Sequence, residues 1–246
     1  MNAGLIFDLG FHVGQDTEFY LKKGFWVVAI DANPILIEEG QKKFADYVAA
    51  GRLKLLNIGI GARDEILPFY VNKVLSEWSS FDKNIGTTRG DYYVIDVPLT
   101  SLRAVMERYG TPYYIKIDIE GHDFMAVQSM QGTTDKPRYI SVENGQAHQI
   151  EELFSQGYTK FKFINQAKMQ DIILPVPAKE GASIEYEFPF GASGPFGEET
   201  DGEWLSREAV LQLSTAYWGN PNRDANVHGW FDLHAKLLDC PVGVPV

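Results

Sequence analysis

Lys116, Asp118 and Glu120 fall at alternate positions of the run Lys116-Ile117-Asp118-Ile119-Glu120-Gly121. Alternate side chains of an extended strand share a face, so this spacing gathers one cation and two carboxylates on a single side before Gly121 opens a turn. His122 follows at once, and Glu143-Asn144 ends the next apolar run. Acids crowded in a partly buried mouth acquire raised pKa values and can take a proton from a hydroxyl, which makes Asp118, Glu120 and His122 the candidate catalytic residues. Each also has a plainer reading: Glu120 as a helix cap, Lys116 as an ion-pair partner, His122 as a solvated side chain. The same acids could hold Mg2+ through oxygen ligands, but acidic spacing alone is a weak metal signal, so no metal is expected.

A second constellation lies near the start, in Asp8-Leu9-Gly10-Phe11-His12-Val13-Gly14-Gln15-Asp16. Gly10 and Gly14 let backbone approach a ligand closely, and the helix that follows offers unsatisfied N–H groups. The spacing is not the GxGxxG of dinucleotide sites, so a compact ligand without a pyrophosphate fits better. Asp8 can face an amino group or the sulfonium-bearing amino-acid portion of S-adenosylmethionine. Asp31, at the end of the next strand, can accept hydrogen bonds from both hydroxyls of a ribose. Taken singly, either aspartate could merely cap a helix; together they outline an adenosine site drawn from Asp8, Gly10, His12, Gly14, Asp16, Asp31, Ala32 and Asn33. Trp78, Ser79, Ser80, Glu143 and Asn144 are the candidates for contact with a second, acceptor molecule.

The elements that must position these residues alternate in type. Leu5 to Leu9 is short and apolar, a helical run covers about 16 to 23, and Trp26 to Ile30 is again compact and apolar. Pro34 suits the first turn of a helix that Gly51 ends before the strand-like Leu53 to Ile58. Further strands are predicted at Tyr113 to Ile119, Tyr139 to Glu143, Lys160 to Ile164 and Trp230 to Leu237, with helices at Leu99 to Tyr109, Ala147 to Gln156 and Ser206 to Tyr217. Strands separated by helical crossovers imply a parallel sheet in an α/β domain. The stretch from Pro175 to about Glu203 is instead rich in glycine, proline and aromatics, which suggests an ordered lid.

The Asp8 to Gly14 turn, Asp31-Ala32-Asn33-Pro34, Lys116-Ile117-Asp118-Ile119-Glu120-Gly121 and Ile140-Ser141-Val142-Glu143 resemble the FkbM-type methyltransferases. The resemblance covers roughly residues 5 to 165. It implies a Rossmann-like methyltransferase fold: a mostly parallel seven-stranded sheet with helices on both faces and an antiparallel last strand. It also implies S-adenosylmethionine as cofactor and methyl transfer to a hydroxyl of a sugar or other small natural product. One domain over 1–246 is expected, with a cofactor-binding core at 1–165, a lid or acceptor-recognition insertion at 175–229 and a closing strand at 230–237. Two other classes stay open: an NAD(P)-dependent oxidoreductase, which the glycine spacing disfavours, and a non-catalytic nucleotide-binding scaffold.

Composition bounds these readings. A chain of 246 residues, 45% hydrophobic, can bury one substantial core. A net charge of -11 with no basic cluster argues against nucleic-acid binding. No apolar run is long enough for a membrane span, so a cytoplasmic protein with a small-molecule partner is expected. The single cysteine, Cys240, has no intramolecular disulfide partner and no zinc-ligand spacing around it. Nothing in the sequence fixes an oligomeric state.

Overall fold

A computed structural model describes residues 1–238; Cys240 lies outside them. In chain order the elements are β1 (Asn2–Leu9), α1 (Gln15–Lys22), β2 (Trp26–Asp31), α2 (Pro34–Lys43), α3 (Ala45–Ala49), β3 (Leu53–Asn57), β4 (Gly59–Ile60) and β5 (Glu65–Asn72). They continue with α4 (Lys83–Gly86), β6 (Tyr92–Thr100), α5 (Leu102–Tyr109), β7 (Pro112–Ile117), α6 (Asp123–Gln128), β8 (Tyr139–Glu143), α7 (Ala147–Ser155), β9 (Tyr158–Asn165), α8 (Arg207–Trp218), α9 (Ala225–His228) and β10 (Phe231–Leu237). Seven strands form one sheet in the order β3-β2-β1-β7-β8-β10-β9. The pairs from β3 to β8 are parallel, and β10 runs antiparallel between β8 and β9. The expected sheet is therefore present, its last strand inserted one place in from the edge.

Strand alternation splits the core into two layers. Leu5, Phe7, Leu9, Val28, Ile30, Ile115, Ile117, Ile140, Val142, Leu233 and Ala235 face α5, α6, α7 and α8, meeting Leu102, Val105, Ala126, Ile150, Leu153 and Val210. The alternate residues Ile6, Val27, Ala29 and Tyr114 face α1, α2 and the segment after β9, meeting Phe19, Tyr20, Ile37, Phe188 and Phe196. Most of the aromatic stretch is thus a covering layer: Phe196 lies parallel to Tyr114 at 4.5 Å between ring centres, and Phe188 packs on Phe19 at 4.8 Å. It has no regular helix or strand because its glycines and prolines disfavour both, and burial of its rings supplies the ordering that backbone hydrogen bonds do not.

Two elements depart from the sequence reading. The segment after β3 forms a three-stranded sheet, β4-β6-β5, that carries Trp78 and Ser79 on a short turn between β5 and β6. Residues 99 and 100, placed at the start of a helix by the sequence, belong to β6, and α5 starts at Leu102 behind a Ser101 N-cap that accepts from the Ala104 N–H. Among the described residues no helix is long and apolar enough to cross a membrane.

Candidate active site

A cavity of about 710 Å³ opens where β1, β2, β7 and β8 reach their carboxyl ends. Parallel strands deliver loop residues to one edge, and open α/β sheets hold ligands there. Gly10, His12, Asp16, Asp31, Ala32, Trp78, Ser79, Asp118, Glu120 and Glu143, all named from sequence, line it. Lys116, Phe69, Glu77, Phe190 and Trp230 complete much of the wall.

At one end, the Asp31 carboxylate accepts from the backbone N–H of His12 at 2.8 Å and of Asn33 at 2.8 Å. One bond per oxygen leaves lone pairs for a diol, since a carboxylate has about four acceptor sites. Ala32, Leu36, Ile58 and Phe69 form an apolar wall beside it. The Gly10 backbone, at φ +86°, passes so close to Asp118 that a Cβ there would lie 1.8 Å from the Asp118 carbonyl oxygen. His12 holds φ 48°, and its Nε2 lies 2.8 Å from Ser76 Oγ.

Beneath the cavity, Lys116 donates to the Gly10 carbonyl at 3.0 Å and sits 3.5 Å from Asp8, 3.5 Å from Asp16 and 3.6 Å from Asp118. Burial alone would lower the pKa of this ammonium, but the carboxylates around it hold it well above its ordinary value. Asp16, which accepts from the Ser193 N–H at 2.9 Å, is pushed up to about 6, chiefly by burial.

At the other end, carboxylate oxygens of Asp118, Glu120 and Glu143 lie within 4.8 Å of one another, an arrangement that could hold a metal ion. Burial, with the charges of Asp118 and Asp123 adding to it, pushes Glu120 up to about 8, and burial likewise carries Glu143 well above the carboxylate range. Glu120 is turned into the cavity by a left-handed backbone, φ 47°. Two side chains stabilise that turn: Asp123 accepts from the N–H groups of Ile119 at 2.8 Å and Gly121 at 3.1 Å, and Ser80 Oγ donates to the Glu120 carbonyl at 2.5 Å.

Six residues named from sequence lie outside this wall. Asp8 is fully buried one step below the strand end, where it accepts from Thr17 Oγ1 at 2.6 Å, so its carboxylate does not face the cavity. Gly14 packs on Phe11 and Phe44, and Asn33 caps α2 by accepting from the Ile35 N–H at 3.0 Å. Ser80 braces Glu120 from behind. His122 stacks on Phe81 at 4.9 Å with its Nδ1 3.3 Å from the Ile60 carbonyl, away from the carboxylates. Asn144 contributes its backbone, at φ 72°, and its carbonyl accepts from Trp218 Nε1 at 3.0 Å.

The sequence reading assigned no role to Asp123 or Glu77. Asp123 had a signal, an acid two residues after a turn glycine where a carboxylate can staple backbone N–H groups. Phe190 and Trp230, ring centres 5.7 Å apart, bring the aromatic stretch and the approach to β10 to the mouth.

With this geometry in view, the methyltransferase FkbM domain family matches residues 8–170. No curated protein matches the chain. Among solved structures the chain is similar to a methyltransferase FkbM from Methylobacillus flagellatus KT, at 17% identity and TM-score 0.41, over 63% of this chain and 36% of that one. The shared part is thus about a third of that protein's length. A precorrin-6y C5,15-methyltransferase from Geobacter metallireducens GS-15 aligns over 96% of this chain and 80% of that one, at 9% identity and TM-score 0.41. The Podospora anserina methyltransferase PaMTH1, solved with bound SAH, aligns over 96% of this chain and 72% of that one at 11% identity and TM-score 0.34.

Proposed function

The chain belongs to the FkbM methyltransferase domain family, whose methyl donor is S-adenosylmethionine, and on that premise we propose that it methylates a hydroxyl oxygen of a small acceptor such as a sugar or other natural product. The observation that carries this reading is one cavity with a diol-binding acid, Asp31, at one end and three clustered carboxylates, Asp118, Glu120 and Glu143, at the other.

The residues fit the donor group by group. Asp31 has acceptor capacity for the ribose hydroxyls, Ala32, Leu36, Ile58 and Phe69 suit a flat base, and Asp118 and Asp16 can attract the ammonium of the amino-acid tail. Asp118 takes the part the sequence gave to Asp8, because it stands two register positions further along the strand edge and is open to the cavity. A cavity of about 710 Å³ has room for a second molecule beside the donor. The bound donor supplies a methyl carbon already activated by its sulfonium.

The chain's own residues then have three tasks. Strand ends and the Gly10 turn hold the acceptor oxygen in line, which supplies much of the rate in a displacement of this kind. Glu120, held by Ser80 and Asp123 and pushed up to about 8, is suited to take the hydroxyl proton near neutral pH. Trp78, Phe190 and Trp230 at the mouth shed water.

Incubating the protein with isotopically labelled donor and a panel of hydroxylated metabolites, read by mass spectrometry, tests the reading: one labelled methyl on oxygen is expected. Asp31→Ala should weaken donor binding roughly 10- to 100-fold in calorimetry, the loss of hydrogen bonds to a charged group. Unchanged donor affinity in that variant, or transfer to nitrogen or carbon alone, would overturn the respective assignment.

A further inference from the structure

We propose that the turn at 189–192 reads the acceptor, and that Phe190, together with Trp230, is a platform for an uncharged ring that carries or adjoins the methylated hydroxyl. This rests on the reading above for where the donor lies.

The turn is built to hold one ring out. Before it, Phe188 is buried against Phe19 at 4.8 Å; after it, Ala192 is buried and Ser193 donates its N–H to Asp16 at 2.9 Å. The Ala192 N–H closes the turn on the Pro189 carbonyl at 3.2 Å, Gly191 takes the corner at φ +79°, and the Gly191 carbonyl accepts from Gln15 Nε2 at 3.4 Å. Between these fixed points Phe190 keeps 73% of its surface exposed. A lone apolar side chain in water needs no explanation. This one lies on the cavity wall, edge to face with Trp230 at 5.7 Å between ring centres, so two large aromatic surfaces meet where a ligand must pass.

Position along the sheet assigns the pair to the acceptor. Asp31 ends β2 and Trp230 immediately precedes β10, and the order β2-β1-β7-β8-β10 separates them by four strand spacings, roughly 19 Å. Asp118, placed above at the donor's amino-acid tail, follows β7, which is two spacings or about 10 Å from Asp31. The aromatic pair therefore stands beyond the donor, on the side of Glu143, whose register partner Asp232 is two residues from Trp230.

Charge narrows the chemistry of the ring. Lys116 is the one ammonium or guanidinium on the cavity wall among the described residues, and Asp8, Asp16 and Asp118 already share it at 3.5, 3.5 and 3.6 Å. A phosphate or carboxylate on the acceptor would meet carboxylates and no free cation. An uncharged ring loses little by leaving water for an aromatic face. A sugar ring offers C–H groups to that face and an aromatic ring offers its π-system; the two share the flat, uncharged surface that the platform fits.

Saturation-transfer difference NMR on the full chain, with and without SAH, tests this. Methyl β-D-glucopyranoside and catechol are the ring probes, sorbitol the open-chain control and glucose 6-phosphate the charged one. Transfer to the ring C–H protons of at least one ring probe is expected, and which of the two shows it separates a sugar from an aromatic acceptor. Sorbitol and the phosphate should show none. Phe190→Ala should weaken the bound ring probe roughly tenfold, and Phe190→Tyr should retain it, since the flat face is kept. Both variants should melt with the parent and bind SAH with the parent's affinity, because the side chain is exposed and lies beyond the donor. Ile173→Ala, which removes another exposed apolar side chain, should leave the probe signal unchanged. Parent-like ring binding in Phe190→Ala, sorbitol binding equal to that of the rings, or no transfer to either ring overturns the platform and leaves the donor assignment standing. The measurement needs neither donor nor turnover, so absent SAH binding or transfer to another atom counts against the reading above and not against the binding of the ring.

Discussion

His234 is the most sharply perturbed imidazole in the molecule. It is 2% exposed on β10, its Nε2 has no hydrogen-bond partner among the described residues, and burial with Lys162 alongside lowers its pKa to about 3. The folded chain therefore keeps it neutral while the unfolded chain titrates it at its ordinary value near 6.5. The stability that goes with the neutral ring is complete above pH 6.5 and is lost as pH falls toward 3, at roughly 1.4 kcal/mol per pH unit. Urea unfolding of His234→Gln across pH 7 to 4 should show a shallower decline than the parent by about that slope; parallel curves would refute it. Alternation along the strand predicted at Trp230 to Leu237 is consistent with an inward-facing His234. The sequence could not place His122, because whether an imidazole after a turn points inward depends on Phe81, which arrives from the β5–β6 connection some forty residues earlier in the chain.

At the scale of elements, the turn after β1 carries the tightest backbone contact of the site. Gly10→Ala would set a methyl 1.8 Å from the Asp118 carbonyl oxygen at φ +86°, a collision between the ends of β1 and β7. A loss of about 3 kcal/mol or more is expected in chemical unfolding. Gly24, at φ +99° with open space around it, is the control. Alanine there should cost only the conformational term, about 1 to 2 kcal/mol. Equal losses would mean that the contact at Gly10 relaxes. The elements of the large sheet were legible because their apolar runs are short and separated by glycine, proline and capping residues, as Gly51 and Pro34 illustrate. The β5–β6 pair was not: Ile66, Val94 and Tyr92 are exposed, so the pattern that marks a half-buried strand is blurred there. Trp78 and Ser79 could thus be named as acceptor contacts without the hairpin that carries them being seen.

For the whole molecule, the question is what holds the irregular layer against the sheet. Lys23, at the end of α1, is 1% exposed and donates at 2.9 Å to Glu199, which also accepts from the N–H groups of Lys179 and Glu180. The Lys23 carbonyl in turn accepts from the Ala182 N–H at 2.8 Å. Lys23→Met leaves a buried carboxylate without its cation, and a loss of about 3 to 5 kcal/mol is expected. Limited proteolysis should then open new cleavage sites between 175 and 205 while the sheet survives; an unchanged digest would show that aromatic packing alone secures the layer. Sequence composition identified this segment as ordered and aromatic. Its main contact, with Tyr114 on the sheet and Phe19 on α1, is long-range and leaves no local period to read.

The insertion of β10 between β8 and β9 also sets an order of assembly. While the chain is being synthesised from its amino end, the strands up to β8 can pair as they emerge. The eight residues of β9 have no sheet neighbour until Phe231 to Leu237 have left the ribosome, some seventy positions later. Until then β9 is held only by Leu205, which exchanges both backbone hydrogen bonds with Phe161, and by the packing of Tyr158 and Phe161 against α7 and α8. A chain halted before Phe231 would carry a complete set of parallel strands and one orphaned, aromatic strand available to other chains.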